Sequence, residues 1–205
     1  MIRVTEAAGL FAAFLAVFAI SARYRMKAEH DSGGRSWHPI VWGIVAASLC
    51  AAGIVAKSGL LEAMPAIVAL ACTAVCAATD LRAGYVFDVV TFPAMVIVVA
   101  AGAIGGRAEE VFVGGGTAAG VLLLLFALSR GRGMGLGDVK VAAVIGGGLG
   151  AVPSLVAIGI AFVFGAAVVC CALLLRKMKR DDAVRFAPYL ATGALITTLI
   201  RGVSQ

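Results

Sequence analysis

The chain has 205 residues, of which 62% are hydrophobic and 14% charged, and its mean hydropathy is +1.05. A soluble domain is nearer half apolar and a quarter charged, so a water-soluble core is excluded and lipid is the expected solvent for most of the surface. The net charge of +6 does not point to nucleic acid, because in a membrane chain the basic residues report topology.

In chain order, apolar runs alternate with short polar breaks. Eight candidate spans are expected, near 7–22, 40–56, 60–79, 89–105, 111–129, 139–152, 154–175 and 187–200. This pattern predicts an all-α polytopic membrane protein. A spanning helix needs about 20 residues, within a range of about 17–25, so the sixth and eighth runs are short. The first run is read as a retained helix and not a cleaved signal, since many spans follow it and only Arg3 precedes it. The longest polar break, 21–39, is a basic loop well below the ~50 residues of a small domain. The chain therefore reads as a single membrane-embedded domain over 1–205. The 26 glycines suit close helix packing in lipid, and Gly116-x-x-x-Gly120 reads as one such contact. The glycine-rich stretch 141–150 is the weakest helix of the set. The cysteines (Cys50, Cys72, Cys76, Cys170, Cys171) all lie in apolar runs without a C-x-x-C pair, which argues for packing and against a zinc or redox site.

Basic residues favour the cytoplasmic side. With the N-terminus outside, the inner segments hold Arg23, Arg25, Lys27, Arg35, Arg82, Arg130, Arg132, Lys140, Arg176, Lys177, Lys179, Arg180 and Arg185. The outer segments hold Arg3, Lys57, Arg107 and Arg201, a division of 13 against 4. Both termini are thus expected outside. The run Arg176-Lys177-Met178-Lys179-Arg180 is an anchor on anionic lipid, and His30 and His38 are solvated loop residues.

Acids at span boundaries stand out, because an aspartate at a helix centre costs about 2.5–3.5 kcal/mol on insertion scales. Asp80 closes the third run, Asp88 opens the fourth and Asp138 opens the sixth. Two crossings separate Asp80 from Asp138, and an even number returns the chain to the same face, here the cytoplasmic one. Two carboxylates brought close cannot both ionise easily. One can then take a proton from water while the other hydrogen-bonds a peptide carbonyl, the arrangement of an aspartic protease. Gly131, Gly133, Gly135 and Gly137 alternate ahead of Asp138. Glycine there permits unusual backbone angles and close approach of another backbone, such as an extended substrate. Asp88 is the rival for the first acid, or else a helix cap. Lys140 either tunes Asp138 and binds substrate or anchors the chain on lipid phosphate.

Gly135-Leu136-Gly137-Asp138-Val139-Lys140 resembles the G-x-G-D-x-K signature of the bacterial type IV prepilin leader peptidases. Asp80-Leu81-Arg82 followed by Thr91-Phe92-Pro93 is similar to the segment carrying that family's first aspartate. Phe186-Ala187-Pro188-Tyr189-Leu190-Ala191 and then Gly193 resembles its C-terminal F-x-P-x-L-A-x-G element. The resemblance implies a membrane aspartic endopeptidase of the inner membrane, with Asp80 and Asp138 as the catalytic pair. Gly135 and Gly137 would shape the loop, and no metal or organic cofactor would be needed. Its implied partners are a type IV prepilin, a Flp-type prepilin or a type II secretion pseudopilin, from which the short basic cytoplasmic leader is removed.

Two departures from the family pattern matter. The loop 21–39 lacks the two C-x-x-C pairs that many members carry with an N-methyltransferase activity, so that activity is expected to be absent. Val86-Phe87-Asp88 stands where many relatives have Ile-Pro-Asn. The competing reading is a transporter or channel using interface acids for protons or cations, but that would place acids near mid-membrane. No H-E-x-x-H for a zinc protease is present.

Overall fold

A computed structural model describes residues 60–131, 134–176 and 184–203. The first two expected spans, the loop 21–39, His30, His38 and the run 177–180 lie outside the described residues. Those described are all-helical. The helices are α1 (Leu60–Ala83), α2 (Asp88–Ile104), α3 (Ala108–Leu128), α4 (Leu136–Leu149), α5 (Ala151–Leu174) and α6 (Ala187–Val203). They match the third to eighth apolar runs to within a few residues. Stretches in α1, α3 and α5 are long and apolar enough to cross a membrane.

The organising element is α4, the shortest helix at 14 residues. At 1.5 Å per residue it spans about 21 Å, less than the ~30 Å hydrocarbon core. It packs against all five other described helices, and from Gly137 to Leu149 no residue is exposed. Its glycines explain how. A Cβ on Gly146 would run into the Gly114 carbonyl of α3. One on Gly147 would meet Val98 of α2 at 3.0 Å and Val111 of α3 at 3.4 Å, and one on Gly148 would strike Ala69 and the Pro65 carbonyl of α1. Three successive glycines thus admit three neighbours, so close packing outweighs the weak helix propensity of the stretch.

The glycine pair expected to pack α3 does not. Gly116 and Gly120 face open space among the described residues, and the close crossing runs through Gly114 and Gly115. The buried stripe of α3 is Val111, Gly114, Ala118 and Leu122, a spacing of three and four that leaves positions 116 and 120 on the other side. On that side Phe112, Leu123 and Leu124 are exposed, and Val152, Val163 and Phe164 are exposed on α5. In water such surface would be costly, but in lipid it is not. Cys72 and Cys76 are buried as expected, whereas Cys170 and Cys171 are exposed among the described residues; all four are free thiols.

Candidate active site: two buried aspartates at one end of the bundle

The chain leaves α1, runs out along α2, returns along α3 and enters α4. The end of α1 and the start of α4 thereby meet. Asp80 sits in the last turn of α1 with 6% exposure, and Asp138 in the first turn of α4 with 8%. The carboxylates lie within electrostatic reach of each other, and both act on Cys76, one turn before Asp80. Asp88, by contrast, is exposed.

Asp138 is held by its own loop. Gly135 takes an extended conformation (φ −89°, ψ 150°) and immediately precedes α4. The Gly135 N–H donates to Asp138 Oδ2 at 3.3 Å, and the Asp138 N–H donates to the Gly135 carbonyl at 3.1 Å. Glycine has no side chain to complete a reciprocal cap, so this is half of a capping box. An acid in the first turn also suits the positive end of the helix.

The alternating glycines divide into different tasks. Gly131 carries a positive φ of 73°, which accommodates the turn after α3. Beside Gly137 there is no room for another chain, because a Cβ would meet Val86 Cβ at 2.8 Å. The α1–α2 connection fills that space. Beside Gly135 the nearest atoms are at ordinary contact, 3.7 Å or more. Gly135 is thus the more open of the two glycines flanking Leu136.

Asp80 is held from a direction not anticipated from the spacing of the acids. The Ala187 N–H and the Arg185 side chain both lie within electrostatic reach of it. The reason is local to α6. The Tyr189 and Leu190 N–H groups both return to the Phe186 carbonyl, and Pro188 has no N–H. Ala187 is left as the orphan donor of the first turn, and the helix N-terminus favours an anion there. The Phe186-Ala187-Pro188 order carries this signal, since proline second in a helix leaves its predecessor as the spare donor. Asp80 Oδ2 is buried with no hydrogen-bond partner among the described residues.

Asp88 and Lys140 form a pair of their own. Lys140 Nζ lies 2.6 Å from Asp88 Oδ1. Asp88 is the first residue of α2, with Phe87 at the cap position, so it is not the helix cap. Lys140 points to Asp88 and bridges the starts of α2 and α4. No group of three or more His, Cys, Asp or Glu side chains that could hold a metal ion occurs among the described residues.

Comparison with known proteins places this geometry in a family. A profile for the type IV leader peptidase family matches residues 67–170, a stretch containing both buried aspartates. Two curated relatives, each named prepilin leader peptidase/N-methyltransferase, come from Burkholderia pseudomallei strains 1026b and K96243. Each is 34% identical over 161 residues, covering 72% of this chain and 52% of the relative. The chain thus spans about half the length of the curated relatives it matches. No solved structure matches it. With half its length matched by the profile, the chain belongs to the type IV leader peptidase family.

Proposed function

We propose that the chain is an aspartic endopeptidase that removes the leader from a prepilin or a related pilin-like precursor, with Asp80 and Asp138 as the catalytic pair. The observation that carries the reading is that two buried carboxylates lie within electrostatic reach of each other at one end of the bundle. One of them presents an oxygen with no partner among the described residues. A lone buried carboxylate is costly; two sharing a proton at a site that water and substrate enter have a use for the cost.

In the proposed reaction one carboxylate takes a proton from water and the resulting hydroxide bonds to the scissile carbonyl carbon. The other carboxyl gives its proton to the carbonyl oxygen, yielding a neutral tetrahedral diol. Collapse of the diol breaks the C–N bond: the first carboxyl gives its proton to the amine nitrogen, a diol hydroxyl returns one to the second carboxylate, and the new acid and new N-terminus leave. The opening beside Gly135 is where an extended substrate backbone fits. The basic-residue tally supports a place for this end at the cytoplasmic face of the inner membrane. Type IV prepilins, Flp-type prepilins and type II secretion pseudopilins are the substrate candidates. The absence of cysteine from 21–39 supports reading the chain as a peptidase without the methylation step.

The test is co-expression with tagged members of each substrate class, followed by leader removal on a gel. Asp80→Asn and Asp138→Asn are expected to stop cleavage while the protein remains inserted. If both variants still cut, the pair is not catalytic. If the wild type cuts none of the three classes, the peptidase reading fails. Mass spectrometry of the product is expected to show an unmethylated N-terminus.

A further inference from the structure

The short segment entering α6 contacts α1 twice. Arg185 Nη1 donates to the Leu81 carbonyl, and two residues on the Ala187 N–H lies within reach of the Asp80 carboxylate. Between them Phe186 sets its ring against Phe162 of α5, with centroids 4.8 Å apart.

The Leu81 carbonyl is available because α1 ends there. The Gly84 N–H returns to the Asp80 carbonyl at 2.9 Å, and Gly84 takes the left-handed conformation with φ 69°. That closure leaves Leu81 among the orphan carbonyls of the last turn. A guanidinium suits such a carbonyl and the negative end of a helix. The same group is within electrostatic reach of the Asp80 carboxylate. Thus Arg185 holds the backbone one residue after Asp80 while its charge lies beside the carboxylate.

We propose that Arg185 is a positioning residue for Asp80: anchored on the Leu81 carbonyl, it locks the last turn of α1 against the entry to α6 and sets the angle at which Asp80 meets Asp138. This rests on the catalytic reading of the two aspartates above. The Arg185 side chain is on an exposed residue, so its loss leaves no cavity. Its contribution is to geometry, and a misplacement of about 1 Å in a catalytic group costs on the order of a hundredfold in rate.

The experiment uses the full chain in detergent with a tagged prepilin, comparing wild type, Arg185→Gln, Arg185→Lys and Asp138→Asn. Arg185→Gln is expected to lower kcat by about tenfold to a hundredfold with KM within about twofold of wild type. Arg185→Lys keeps one charged donor for one carbonyl and is expected to stay within about threefold of wild type. Thermal midpoints of the Arg185 variants should match wild type. Wild-type kcat in Arg185→Gln overturns the inference and leaves the peptidase reading intact. So does a rise in KM at constant kcat, which would put Arg185 on the substrate. A fall in the midpoint that accounts for lost activity in both Arg185 variants also overturns it. Equal processing by wild type and Asp138→Asn removes the catalytic reading, and this inference with it.

Discussion

Replacing Gly137 by alanine tests how tightly the α1–α2 connection must lie against the Asp138 turn. The new Cβ would sit 2.8 Å from Val86 Cβ and 3.2 Å from its Cγ2. Carbon atoms rest at about 3.5–4.0 Å, so the two segments must part by about 0.7 Å. Overpacking of this kind costs about 1–3 kcal/mol. Here the displaced parts are the first turn of α4, which carries Asp138, and the connection that follows Asp80. A displacement of that size at a reacting pair is expected to lower kcat by about tenfold to a hundredfold. The companion variants locate the cause. In Gly137→Ala with Val86→Ala, the Val86 Cβ remains and cleavage recovers only in part. In Gly137→Ala with Val86→Gly, the clash is gone and the coupling measured by the double-mutant cycle should be favourable. Leader removal is followed as a time course, with thermal midpoints in parallel. Cleavage by Gly137→Ala at the wild-type rate would refute the reasoning, as would equal rescue by the two Val86 variants.

Other outcomes follow from the same contacts. Asp88→Asn and Lys140→Gln are each expected to cut within about fivefold of wild type, because a solvent-exposed pair contributes about 0–1 kcal/mol; complete loss in Asp88→Asn would move the first acid there. Gly114→Ala forces a Cβ into the Gly146 carbonyl, where backbone meets backbone and nothing flexible can yield. Its thermal midpoint should fall well below that of Gly116→Ala, which faces open space; equal midpoints would misplace the α3–α4 crossing. Asp80→Asn should melt no lower than wild type although it stops cleavage, since an ionisable group is removed from a buried site; a marked drop in midpoint would give Asp80 a structural role. In a cysteine-free background, Asp88→Cys should react with an impermeant thiol reagent only from the cytoplasmic side and Glu109→Cys only from the outside, and the reverse pattern would invert the orientation.

Helix positions were largely legible because lipid simplifies the code. The apolar runs 60–79, 89–105 and 111–129 became α1, α2 and α3 with small shifts at their ends. Parity of crossings put Asp80 and Asp138 on one face, but it did not say that they come together. Which glycines pack was not. Gly116 and Gly120 have the spacing of a packing motif, yet the burial of Val111, Gly114, Ala118 and Leu122 turns the helix the other way. In a segment apolar on all sides, spacing alone does not say which face meets protein. Nor did Lys140 disclose its partner, since Asp88 lies 52 residues earlier and comes near only when α2 and α4 start side by side. The holders of Asp80 were hidden for the same reason: they belong to the far end of the chain and arrive through the packing of α6 on α1.

The enclosure of α4 has a consequence for how the surrounding bilayer acts on the protein. A helix with no side facing the acyl chains does not feel their length directly. When the bilayer thickens or thins, the mismatch is met by the helices that touch it, here α3 and α5, through tilt and local deformation of lipid. Asp138 rides on the one short helix whose neighbours are all protein, with Arg201 Nη1 bonded to the Leu149 carbonyl at its opposite end. Asp138 is therefore insulated from the changes in lipid composition that accompany growth temperature or medium, and on the proposed catalytic reading cleavage should vary little across bilayers of different chain length.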